Sequence, residues 1–178
     1  MSADRITYCL ERVSSYRDFE RLCSGLLAGT DYPGIDPLGG TGDGGRDAII
    51  RSDSNGRKIV FAYTVRGDWK TKLKSDCARV REQAHNADLF VFVCTEALNA
   101  AEKDGAHELV RSEFGWKLDL FDLERLRVLL VGPHRHLLAQ HPSIFTPPFF
   151  PRAGGESLSE SRDTLVIAHV DSDHPLAT

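Results

Sequence analysis

Residues 58–95 constrain the fold of this chain more than any other stretch. Lys58 to Val65 (KIVFAYTV) is apolar at nearly every position, with Ile59, Phe61, Tyr63 and Val65 on one face and Val60, Ala62 and Thr64 on the other. A strand of this kind belongs in the middle of a sheet that is covered on both sides. Asp88 to Thr95 (DLFVFVCT) is a second buried strand. Between the two, Trp69, Leu73, Cys77, Val80 and Ala84 recur at helical spacing, which predicts a helix from 69 to about 86. Asp68 stands where an N-cap is needed. Strand, helix and strand in this order predict a right-handed parallel crossover.

The flanking segments extend this unit. Ser52-Asp53-Ser54-Asn55-Gly56 is turn chemistry, so Asp47 to Arg51 pairs with the 58–65 strand as an antiparallel hairpin. A glycine-rich run, Gly39 to Gly45, leads into Asp47, a carboxylate at the mouth of a rigid strand. Asp43 in that run reads as turn chemistry. Tyr32 to Leu38, with Pro33, Gly34 and Pro37, allows only a short strand or an extended connection. Upstream, Tyr16, Phe19, Leu22, Cys23, Leu26 and Leu27 predict a helix over 15–28, with Ser15 and Asp18 at its start and Gly29 as its stop. Glu20 lies on the edge of its apolar face.

Downstream come a helix over 96–114, a strand over 116–121, and a helix that Asp122 caps and Gly132-Pro133 ends, with one further short helical piece over 134–140. The order predicts a three-layer α/β sandwich with a mixed central sheet.

A chain of 178 residues suits one domain with a tail. The net charge of −4 excludes a general polycation, so any nucleic-acid surface must be local. Arg66, Lys70, Lys72, Lys74, Arg79 and Arg81 supply such a group. Cys9, Cys23, Cys77 and Cys94 are scattered through apolar segments with no C-x-x-C pair, which points to free thiols rather than a zinc ribbon. With no signal-peptide core and no long apolar run, the expected location is the cytoplasm, with no membrane partner. A G-x-S-x-G elbow and a phosphate-binding Gly-Lys-Ser/Thr are both missing from the sequence. His134, His136 and His141 are read as surface histidines.

Phe19-Glu20-x-Leu22, GDGGRDAII and IVFAYTVRGDWKTKL together resemble the restriction-endonuclease-like nucleases of the PD-(D/E)XK superfamily. The nearest branch is the Mrr-like domains of bacterial defence proteins. In fold order the resemblance spans residues 14–145. It implies phosphodiester hydrolysis of DNA with Mg²⁺ or Mn²⁺, with Asp47 as metal ligand and Glu20 as the additional carboxylate. The chain departs from the family where Glu/Gln-x-Lys should stand: the positions hold Ala62, Tyr63 and Thr64. Within the resemblance the lysine moves to the next helix, with Lys72 as first candidate and Lys70 as second. Arg46, Arg66, Lys70, Lys72 and Lys74 are the expected DNA contacts.

Two readings follow. One is a metal-dependent endonuclease of antiphage defence. The other is a degenerate nuclease fold that binds DNA or oligomerises within a larger defence or signalling protein. The expected organisation is a nuclease domain over 1–151, a linker over 152–163 (RAGGESLSES lies across its start), and residues 164–178 as the first strand of a truncated domain that resembles TIR modules. A homo-oligomer and a C-terminal signalling domain are the expected assembly partners.

Overall fold

The computed structural model describes residues 1–38, 46–83 and 86–146. The glycine run, Ala84, the linker and the TIR-like segment lie outside these residues. The first helix, α1 (Ala3–Glu11), has no counterpart in the periodicity reading; it buries Ile6, Cys9 and Leu10 and packs on α5 (Leu123–Val131) and α7 (Pro142–Phe145). Then follow α2 (Tyr16–Ala28), β1 (Asp36–Pro37), β2 (Ala48–Ile50), β3 (Ile59–Thr64), α3 (Trp69–Glu82), β4 (Leu89–Cys94), α4 (Ala100–Phe114) and β5 (Lys117–Phe121). A four-residue helix, α6 (Leu137–Gln140), follows α5.

The sheet runs in the order β1-β2-β3-β4-β5. The β1–β2 and β2–β3 pairs are antiparallel, and the β3–β4 and β4–β5 pairs are parallel. This is the mixed sheet that the hairpin and the crossover require. All six residues of β3 are buried, as a central strand demands. Val60, Ala62, Phe90 and Phe92 share one apolar cluster with Leu73, Cys77 and Val80 of α3 and Val110 of α4. That face of the sheet is closed by α3 and α4; α2 packs against β3 as well. The four cysteines are free and buried. Among the described residues, no helix is long and apolar enough to cross a membrane.

Several local expectations change. Asp68 does not cap α3 with its side chain; its carboxylate instead takes a two-point hydrogen bond from Arg66, at 2.8 and 2.7 Å. The helix stops at Glu82, short of 86. His134 is buried, not superficial, and its ring explains Gly29: a Cβ there would lie 3.0 Å from His134 Cε1, while the glycine's φ of −82° needs no special freedom. The helix expected from 96 begins only at Ala100, because Asn99 forms a capping box: its side chain accepts from Glu102 N–H at 3.0 Å and Glu102 Oε2 accepts from Asn99 N–H at 2.8 Å. Asn99→Ala is expected to lower stability by about 1 kcal/mol without touching the candidate site. A urea unfolding curve checks this through its midpoint.

Candidate functional site

Asp47 stands just before β2 and is nearly buried, at 9% exposure. Its C=O accepts from Leu38 N–H at 2.8 Å, and its own N–H donates to Phe61 O at 2.8 Å. Phe61 is already the ladder partner of Ala48, so two residues of this strand oppose one of β3. That arrangement is a β-bulge, which re-aims a side chain at a sheet margin. The Asp47 carboxylate then accepts the next odd-numbered amide of β3, Tyr63 N–H, at 2.6 Å on Oδ2. The hairpin thus fixes the Asp47 backbone by its ladder contacts and its carboxylate through the Tyr63 amide.

Other charged and polar groups gather around it. Tyr16, in the first turn of α2, has its hydroxyl pKa pushed up by burial, by the charge of Asp47, by a hydrogen bond to Asp47, and by Glu20 and Asp76. Tyr16 and Glu20 lie one helical turn apart on α2, so the Glu20 charge reaches the hydroxyl that bonds Asp47. The 15–28 helix starts as expected, with Ser15 accepting from Asp18 N–H at 3.3 Å, and this fixes that turn.

From α3 comes Lys72, whose Nζ donates to Asp76 Oδ1 at 2.6 Å. Asp76 is fully buried, although the helical pattern places it on a polar flank. Arg79 reaches the same oxygen only at 4.0 Å. Burial, opposed by the hydrogen bond and charge of Lys72 and reinforced by Asp47, leaves the Asp76 carboxyl pushed up to about 6. Tyr63, whose amide holds Asp47, turns its hydroxyl to Ser24 of α2 at 3.3 Å within the interior.

The site residues read from the sequence therefore fall into two groups. Asp47 and Glu20 both act on the Tyr16 hydroxyl, and Lys72 is joined to Asp76, on which Asp47 also acts. Lys70 lies elsewhere on α3, in a shallow surface groove with Lys74, Ser75 and Leu109. Lys74 is paired with Glu113 at 2.8 Å and Arg66 with Asp68, so much of the basic group is already matched. Arg46 adjoins Asp47 in the chain and is half-buried. Two residues escaped sequence reasoning, Tyr16 and Asp76. The available signal was their spacing: Tyr16 is four residues before Glu20, and Asp76 four after Lys72. Among the described residues, no three Asp, Glu, His or Cys side chains enclose an ion by themselves.

A mixed five-stranded sheet with helices packed on it is the restriction-endonuclease-like α/β arrangement. Residues 11–130 match the Mrr_cat family model, described as restriction endonuclease, and the chain belongs to that family. It carries a nuclease domain. Neither a curated protein nor a solved structure matches the chain.

Proposed function

We propose that the domain is a divalent-metal-dependent DNA endonuclease of prokaryotic antiphage defence, with Asp47, Glu20 and Lys72 as its working residues. The observation that carries this reading is negative charge from the hairpin, α2 and α3 acting together on the Tyr16 hydroxyl. Asp47, Glu20 and Asp76 all act on the Tyr16 hydroxyl in the same direction. Carboxylates held together in a partly buried position repel one another unless a cation joins them. Their oxygens suit Mg²⁺ or Mn²⁺, and Mg²⁺ is ordinarily held by one or two carboxylates with waters and substrate phosphates completing the shell. The small protein ligand count fits such an ion.

When bound, the ion would activate water and offset charge on the phosphate. Asp47 is fixed for ligation by the Tyr63 amide and by Tyr16. Glu20 approaches from α2. Lys72 holds a positive charge beside the same carboxylates, where it stabilises negative charge gathering on the scissile phosphate. Ala62 and Thr64, both buried, favour the second reading, a fold that binds DNA without cutting it.

Plasmid DNA incubated with the purified full chain separates the two. Nicking that requires Mg²⁺ or Mn²⁺ and stops on chelation is expected. DNA binding that weakens with salt but yields no cut under any divalent ion overturns the nuclease reading in favour of the binding one.

A further inference from the structure

The family position for the second strand carboxylate is Ala62, which has no donor atom. Ala62 lies in the same apolar cluster as Leu73 and Cys77, so α3 is the element that covers this part of β3. Asp76 lies between those two residues in sequence and is fully buried. One of its oxygens binds Lys72 Nζ at 2.6 Å. The other, Oδ2, is buried and has no hydrogen-bond partner among the described residues.

A purely structural role does not explain that orphan. Buried carboxylates are retained in folded proteins when both oxygens are satisfied, because an idle buried oxygen loses its hydration with nothing in return. A simple partner for Lys72 needs no burial at all: an exposed aspartate one turn along the helix would serve equally. A buried, half-satisfied carboxylate whose charge also acts on Asp47 and Tyr16 instead has an oxygen to offer a cation.

We propose that Asp76 is the second carboxylate ligand of the divalent ion, delivered from α3 in place of the carboxylate that β3 lacks. One turn of this helix then supplies both missing functions of the strand. Asp76 offers Oδ2 to the ion, while Oδ1 holds the Lys72 ammonium at the edge of the same site. The lysine and the ligand have moved together, which keeps their mutual spacing fixed by the helix. This inference rests on the metal-dependent reading above, in which Asp76 counts only as nearby charge, and it makes that residue a ligand.

Mn²⁺ binding to the metal-free full chain, followed by the loss of the free-ion EPR signal, tests it without DNA. The wild type should bind Mn²⁺, and Asp76→Asn should weaken binding by at least about tenfold. Asp47→Asn should weaken it too. Circular dichroism establishes that each variant is folded; Asp76→Glu, which keeps the charge, should retain more Mn²⁺ affinity than Asp76→Asn. Plasmid cleavage is measured in parallel. If Asp76→Asn binds Mn²⁺ and cuts DNA like the wild type while Asp47→Asn does neither, the Asp76 assignment is wrong and the nuclease reading survives. Equal Mn²⁺ affinity of folded Asp76→Glu and Asp76→Asn also overturns the assignment. A wild type that neither binds Mn²⁺ nor cuts overturns the underlying reading itself.

Discussion

Asp47→Asn is expected to lower DNA cleavage by about 10³-fold while leaving the protein folded. The substitution separates two roles of the side chain. Its structural role is to accept Tyr63 N–H at 2.6 Å, and an asparagine oxygen can do the same. Its proposed chemical role needs a negative charge toward the ion, and the amide lacks one. Loss of several kcal/mol of charge stabilisation in the reaction corresponds to about three powers of ten in rate. Asp47→Ala would confuse the matter, because a buried amide left without its acceptor destabilises the hairpin by about 1–3 kcal/mol. DNA affinity in the absence of metal should hold or improve in Asp47→Asn, since one negative charge facing the phosphates has gone. Gel-shift and nicking assays on the same preparation check both halves. Retained cleavage with an intact fold would remove Asp47 from the chemistry.

The hairpin, the parallel crossover and the position of Asp47 were readable because each rests on a local rule. Asn55-Gly56 sets the turn, and Gly56 indeed has φ of 74°. The apolar run 59–64 can only be central. What could not be read is which polar residues turn inward. On a helical wheel Asp76 is a flank residue like Arg79, and only the packed structure separates them: Arg79 is half exposed at its side chain and Asp76 is not exposed at all. Tyr16 counts toward the apolar stripe of α2, yet 38% of it is exposed and its hydroxyl serves Asp47. The bulge at Asp47 was hidden for a similar reason: its evidence is one hydrogen bond to Phe61 that falls out of step with the pairing on either side. Burial of polar groups is set by neighbours far away in sequence, and the apolar period carries little information about it. Tyr16, Asp76 and the bulge escaped sequence reasoning at the candidate site, while α1 and the burial of His134 escaped it elsewhere.

Asp76→Asn is expected to make the metal-free protein more stable at neutral pH, by on the order of 2 kcal/mol. Burial raises the Asp76 carboxyl from its ordinary 3.8 to about 6, and Lys72 opposes this only in part. The folded protein therefore holds this proton more tightly than the unfolded chain. Its stabilising contribution is fully present below pH 3.8 and is lost as pH rises through about 6. Such a rise is worth roughly 3 kcal/mol at neutral pH. Asparagine has no proton to lose, so the variant escapes this loss, although Lys72 gives back part of the gain when its ionised partner goes. Urea unfolding of both metal-free proteins, compared near pH 4 and near pH 7.5, should show curves that agree in acid and diverge toward neutrality. Equal pH slopes would mean that Asp76 is not a destabilising charge in the fold. A buried charge that weakens the metal-free protein at neutral pH is hard to reconcile with a scaffolding role. It fits a group kept ionised for a cation, with stability given up for function.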